Sequence, residues 1–150
     1  MTQTIAVFGL GSMGHGMAAS CLRAGHTVHG ADVVAERQAL FVSEGGAPQA
    51  VHDAASSFDA VVLVVLNARQ TEDILFGDNG IAPKLKKGAV VIACATVPPE
   101  SARAMAAKCA DLGRHYLDAP ISGGSVKAAD GALSIMASGS IEAVAAARPV

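Results

Sequence analysis

Tryptophan is missing from this chain, tyrosine occurs once and phenylalanine four times. An apolar share of 51% in so aromatic-poor a sequence must come from Ala, Val, Leu and Ile. Those residues fill parallel strands that helices cover on both faces. Cysteine is scarce as well: Cys21, Cys94 and Cys109 are odd in number, widely spaced and form no C-x-x-C pair. This argues against a disulfide framework and against a zinc site, so no residue is assigned to a metal and a reducing, cytoplasmic setting is expected. Charge is also in short supply, with 11 Lys+Arg against 13 Asp+Glu and a net charge of −2. No basic field exists for nucleic acid or an anionic membrane, and neither is expected as a partner. The longest apolar run, Ala60 to Leu66, is too short to span a bilayer. Met1-Thr2-Gln3-Thr4 offers no basic region and no signal-like apolar core.

A chain of 150 residues is one domain's worth. Thr4 to Phe8 reads as a strand, followed by glycines and then by helical spacing from Met13 to Ala24, with Gly25 as the stop. Thr27 to Ala31 reads as a second strand and Val34 to Glu44 as a second helix. Ala60 to Leu66 shows no alternation, which predicts a central strand buried on both faces. Ala68 to Phe76 reads as helix, Ala89 to Cys94 as strand, and Pro99 to Leu112 as helix with Pro in its first turn. His115 to Leu117 leads into a glycine-rich stretch. Leu133 to Ala137 reads as a last strand and Ile141 onward as a helix. Strands alternating with helices predict a doubly wound, mostly parallel sheet with right-handed crossovers, a three-layer α/β/α domain of Rossmann type. The chain stops at Arg148-Pro149-Val150 with no terminal cap and reads as cut.

Gly9-Leu10-Gly11-Ser12-Met13-Gly14 is a G-x-G-x-x-G, a weak signal alone because glycine-rich turns occur for backbone reasons. Here the motif follows a strand directly, opens a helix, and is followed at the end of the next strand by an acidic residue, Asp32. Together these indicate a dinucleotide site. Gly9 makes the tight turn, Gly11 lets the backbone approach a pyrophosphate, and Gly14 lets helix and strand pack closely. The phosphates would sit on free N–H groups at a helix N-terminus. A carboxylate at Asp32 accepts from the ribose hydroxyls and repels a 2′-phosphate, so NAD is expected over NADP. Arg37 reads as a solvated residue nearer the middle of the following helix.

Gly9, Asp32, Asn67, Thr96 and Ser122 all fall at or just beyond the carboxyl ends of predicted strands, the edge where open α/β sheets bind ligands. Any one of them could be a helix N-cap, Asn67 above all, for which the two readings stand level. Asp118-Ala119-Pro120-Ile121-Ser122-Gly123-Gly124-Ser125 is the other informative stretch. It reads equally as a surface turn or as an anion site built from backbone N–H groups and a hydroxyl.

The glycine turn, with Met17-Ala18 and Ala24-Gly25-His26 after it, resembles the β-hydroxyacid dehydrogenase family. Asp118 to Gly124 looks like that family's substrate-binding signature, and Ala95-Thr96 its Ser-Thr segment beside the nicotinamide. Within the family, Gly30-Ala31-Asp32, Leu75-Phe76-Gly77, Ser125 to Ala129 and Ile135 to Gly139 are most similar to the branch that oxidises threonate. There are departures: Asn67 stands where many members have Pro, and Cys94-Ala95 replaces two serines. The resemblance implies hydride transfer from a small hydroxy acid to C4 of the nicotinamide, with the cofactor carrying the hard chemistry. It implies Gly9, Leu10, Gly11, Ser12, Met13, Gly14, Asp32, Val33, Leu66, Asn67 and Thr96 on the cofactor. It places Ser122, Gly123, Gly124 and Lys127 on the substrate, although Lys127 by itself reads as an ordinary exposed lysine. The same resemblance implies a general acid/base lysine on a second, all-helical domain through which the whole protein forms a homo-oligomer. None of this chain's lysines matches it. Residues 1–150 are then the NAD-binding domain alone, expected to bind NAD and turn over little or nothing. Within the enzyme reading the runner-up is a 3-hydroxyisobutyrate or tartronate semialdehyde enzyme, and a stand-alone NAD-binding module that senses or scaffolds is the competing expectation from another class.

Overall fold

The computed structural model describes residues 1–150. Five parallel strands form the sheet: β1 (Thr4–Phe8), β2 (Thr27–Ala31), β3 (Ala60–Leu63), β4 (Val90–Ala93) and β5 (His115–Asp118). Their spatial order is β2-β1-β3-β4-β5. The chain leaves β1 to one side for β2 and returns to the other side for β3. That reversal opens a crevice beyond the carboxyl ends of β1 and β3. Seven helices surround the sheet: α1 (Gly14–Arg23), α2 (Ala35–Ser43), α3 (Val51–Ala54), α4 (Ala68–Phe76), α5 (Pro99–Asp111), α6 (Gly124–Asp130) and α7 (Ile141–Ala147). None is long and apolar enough to cross a membrane.

Strand side chains alternate between two cores, as the period of 2 requires. Ile5, Val7, Ala60, Val62, Val90, Ile92 and Leu117 pack with Ala18 of α1, Phe41 of α2 and Ala143 of α7. Ala6, Phe8, Val61, Leu63, Val91, Ala93 and Tyr116 pack with Leu75 of α4 and Met105 and Cys109 of α5. Small and β-branched residues therefore fill both faces, and the lack of tryptophan is no handicap to packing. The layered architecture is the one expected from the alternating elements.

Three expectations need correction. The apolar run from Ala60 forms strand only to Leu63, because the neighbours β1 and β4 end at Phe8 and Ala93. The ladder runs out with the bonds from Val64 N–H to Phe8 O (2.8 Å) and Cys94 N–H to Leu63 O (2.9 Å), and Leu66 is 84% exposed. The predicted last strand shrinks to β7 (Ser134–Ile135), which pairs antiparallel with β6 (Ile121–Ser122) outside the main sheet. The stretch after Gly123, which carried no helix expectation, forms α6 and docks on α1. Gly16 permits that docking: a methyl there would lie 2.7 Å from the Ala129 backbone nitrogen.

Candidate functional site

The three glycines of the first turn differ in what requires them. Gly9 has φ +93°, and a Cβ on it would overlap the Val64 carbonyl oxygen at 2.1 Å. A Cβ on Gly14 would meet the Gly9 carbonyl oxygen at 1.7 Å. Both positions are glycine because the fold leaves no room. Gly11 is different: the nearest atom to its Cβ position is Arg37 Nη1 at 4.0 Å, and its φ is not in the left-handed region. Nothing in the protein demands glycine at position 11; only an occupant of the open space beside it would. The N–H groups of Gly11, Ser12 and Met13 make no hydrogen bond within the protein. The three residues line the cleft at the start of α1, where the helix dipole favours an anion. This cradle fits a pyrophosphate.

Asp32 follows β2 directly, and its side chain is only 5% exposed. Its Oδ2 accepts from the Leu10 N–H at 2.7 Å and its Oδ1 from the Val34 N–H at 2.8 Å. Burial pushes the carboxyl pKa up, but those two N–H groups and the Arg37 guanidinium outweigh it and hold the pKa below the usual range. Asp32 is therefore ionised and braces the glycine turn while retaining lone pairs for further donors. Gln38 Oε1 in turn accepts from the Asp32 N–H at 3.1 Å.

These residues edge a cleft of about 1150 Å³. Gly9, Gly11, Ser12, Met13, Gly14, Asp32, Val33, Leu66 and Thr96 line it, all of them expected cofactor residues. Leu10 does not: it is 3% exposed, packs into the core, and contributes only the N–H taken by Asp32. Asn67 is the N-cap of α4, its Oδ1 accepting from the Gln70 N–H at 2.9 Å while Gln70 Oε1 takes the Leu66 N–H at 2.8 Å. This reciprocal cap fixes the Leu66 turn, so the Asn67 side chain acts on the cleft indirectly.

Sequence reasoning missed the far end of the cleft. Residues 47–52 line it, as do Gln70, Asp73 and Ile74 of α4. The parallel bridge between His29 and Ala47 brings that segment alongside β2, a long-range contact with no local signal. His52 belongs to it, with a buried Nδ1 that has no partner. Burial and nearby Lys84 lower its pKa. Arg37 also differs from expectation. It lies in the first turn of α2 rather than the middle, lines the cleft, and places Nη1 3.5 Å from Asp32 Oδ1.

The second motif meets the cleft at one residue. Ile121 lines it, whereas Ser122, Gly123, Gly124 and Lys127 lie beyond its edge and are exposed. Gly123 adopts φ +139° and Gly124 φ +83°, and the Lys127 stem folds over Gly123, where a methyl would meet Cδ at 2.9 Å. Docking of α6 on α1 through Gly16 sets this turn against the helix that begins at the glycine cradle. Cys94 lines the cleft too, but burial and then Asp118 push its thiol up to about 12, so it is no nucleophile at neutral pH. No group of three or more His, Cys, Asp or Glu could hold a metal. A smaller cavity of about 530 Å³ lies between α5 and β5, away from the glycine turn.

Residues 4–150 match the family model of the NAD binding domain of 6-phosphogluconate dehydrogenase. L-threonate dehydrogenase of Cupriavidus necator is 46% identical over 151 residues, which take in 100% of this chain and 51% of that protein. L-threonate dehydrogenase of Haemophilus influenzae is 43% identical over 149 residues, 98% of this chain and 50% of that protein. A crystal structure described as 3-hydroxyisobutyrate dehydrogenase from Salmonella typhimurium matches with a TM-score of 0.94 and 40% identity, covering 98% of this chain and 52% of the other. The chain spans about half the length of the curated relatives it matches.

Proposed function

The chain belongs to the family of NAD-binding domains typified by that of 6-phosphogluconate dehydrogenase, and from that premise we propose that it is the cofactor half of an NAD-dependent hydroxy acid dehydrogenase, with L-threonate as the substrate. The observation that carries the cofactor reading is Gly11. It is a glycine that the fold does not need, set among three N–H groups without partners. When bound, the nicotinamide supplies the hydride acceptor at C4. The chain's own residues bind and orient. Gly11, Ser12 and Met13 donate to the pyrophosphate, and Asp32 accepts from the ribose hydroxyls. Val33 and Leu66, 102% and 84% exposed in this structure, offer apolar cover to the adenosine. Thr96 lies at the nicotinamide end.

Ser122, Gly123, Gly124 and Lys127 are the substrate side of the proposal. A backbone turn with two left-handed glycines and a lysine with no ion pair suits a carboxylate. The general acid/base lysine and the oligomer contacts belong to an all-helical domain outside residues 1–150. That placement rests on the family resemblance and on the half-length coverage. The three cysteines are free thiols, which supports a reducing, cytoplasmic setting.

The test is reduction of NAD by the whole encoded protein over a panel of L-threonate, 3-hydroxyisobutyrate, glycerate and L-serine. NADH formation fastest on L-threonate is the expected result. A preference for 3-hydroxyisobutyrate would keep the dehydrogenase and replace the substrate. NAD binding without turnover of any acid would make the chain a binding module.

A further inference from the structure

His52 lines the far end of the cleft but has no part in holding phosphate or ribose. It stands in the short helix α3, and its ring meets Phe8 edge-on, with centroids 6.4 Å apart at an interplanar angle of 70°. The segment before it is anchored to β2: Nδ1 of the buried His29 donates to the Gln49 carbonyl oxygen at 3.0 Å. The two nitrogens of the His52 ring differ. Nδ1 is enclosed and has no partner, whereas Nε2 is not enclosed and makes no hydrogen bond within the protein. A neutral imidazole carries one donor and one acceptor nitrogen. An enclosed N–H with no acceptor is the costlier orphan, so the proton belongs on Nε2. Charging the ring would place an unpaired N–H at Nδ1 as well; burial, followed by Lys84, holds the pKa below the usual range. His52 is therefore a neutral side chain with one fixed donor, and that donor is unspent.

We propose that His52 is a specificity-determining residue for the purine base of the dinucleotide, its Nε2–H donating to adenine N1. The inference rests on the reading of the cleft as a dinucleotide site and extends it. Phosphates on the Gly11, Ser12 and Met13 cradle and a ribose on Asp32 leave the far end of the cleft to the base. The base is joined to the ribose through N9, so the edge opposite N9, with N1 and the exocyclic amino group, leads into the pocket. Val33 and Leu66 are apolar and exposed, and cover a ring face without reading its edge. Gln70 is spent, its Oε1 taking the Leu66 N–H at 2.8 Å. Adenine N1 is an acceptor and matches the His52 donor. In hypoxanthine an oxygen replaces the amino group and N1 carries a hydrogen. N–H would then face N–H, and the enclosed Nδ1 bars the ring from exchanging tautomers to relieve the conflict. One enclosed nitrogen thus turns an ambivalent side chain into a one-way reader. A polar group left unpaired in a site discriminates more strongly than a missing apolar contact.

The experiment titrates NADH and reduced nicotinamide hypoxanthine dinucleotide, followed by nicotinamide fluorescence, into the wild-type chain, His52→Phe and His52→Gln. Wild type binds NADH roughly tenfold tighter than the hypoxanthine analogue. His52→Phe keeps an aromatic edge against Phe8, weakens NADH by roughly three- to tenfold and brings the two ligands within about twofold of each other. The amide of His52→Gln can turn to donate or to accept, so this variant also binds the two within about twofold. Should both variants fold poorly, a long-range ¹H–¹⁵N spectrum of the wild-type imidazoles reads the tautomer directly. The proton is expected on Nε2 near neutral pH, with the Nε2 signal moving on addition of NADH. A proton on Nδ1, equal affinity of wild type for the two ligands, or an adenine preference that survives in folded His52→Phe overturns the inference, while tight NADH binding leaves the cofactor reading intact. Failure of the folded wild type to bind either dinucleotide overturns both.

Discussion

Gly11→Val separates binding from folding more cleanly than any other change in this chain. Outside the adjoining residues, the nearest atom to the new Cβ is Arg37 Nη1 at 4.0 Å, and the local φ needs no left-handed conformation. The folded state accepts the side chain, and loss of glycine's freedom in the unfolded chain offsets some strain by about 0.4–1 kcal/mol. The melting temperature should move by only a few degrees. The valine methyls, however, occupy the space through which a pyrophosphate reaches the N–H groups of Gly11, Ser12 and Met13. A hydrogen bond to a charged group contributes about 1.5–3 kcal/mol. Loss of two of the three costs about 3–6 kcal/mol, or roughly 10²–10⁴-fold in affinity. Gly14→Ala is the control: its Cβ would lie 1.7 Å from the Gly9 carbonyl oxygen, so that variant should lose its cooperative thermal transition. Calorimetric titration with NAD and circular dichroism melting read the two effects separately. NAD affinity within threefold of wild type in a folded Gly11→Val protein would refute the reasoning, as would a Gly14→Ala protein that melts like wild type.

The other predictions address the walls and supports of the cleft. Leu66→Ser, at an 84% exposed position, should leave stability within about 0.5 kcal/mol and weaken NAD by roughly three- to tenfold through lost apolar cover. An unchanged Kd would remove Leu66 from the adenosine wall. Gly16→Ala should force α6 away from α1, with overpacking of about 1–3 kcal/mol and a Tm loss of roughly 3–10 °C. A melting curve matching wild type would show that the helices adjust freely. Burial raises the Asp118 carboxyl pKa, so the folded state holds that proton more tightly than the unfolded one. Stability is lost as pH rises from the unfolded pKa, about 4, toward the folded one. Asp118→Asn should therefore melt higher than wild type at pH 7, with the advantage vanishing near pH 3.5. An increment that does not vary with pH would contradict the burial argument.

The cofactor cradle was legible in the sequence because its parts are close along the chain. A strand, three glycines at fixed spacing, a helix and an acid after the next strand are local features with local causes. The bounds of β2 and α4 were legible for the same reason, Thr27–Ala31 by its β-branched start and Ala68–Phe76 by the Asn67 cap and the glycine after it. What escaped notice depends on distant partners. β3 stops at Leu63 because its neighbours stop, not because its own side chains change. α6 begins with a glycine and is stabilised by packing on Gly16, more than a hundred residues earlier. Arg37 looked like a solvated face because only the path of the chain after β2 turns the first helical turn toward Asp32. The wall at residues 47–52 exists only once it is paired with β2. Spacing alone could not settle the Ser122 to Lys127 turn, and in the structure it stands at the edge of the cleft rather than within it.

The central claim is that an anion belongs on the N–H groups at the start of α1. A titration of the ¹⁵N-labelled chain with NAD, read from its amide spectrum, addresses those groups one by one. The account predicts the largest shifts at Gly11, Ser12 and Met13, smaller ones at Val33 and Leu66, and the same pattern with ADP-ribose. Shifts confined to other parts of the surface, or a spectrum unmoved by millimolar NAD, would contradict it.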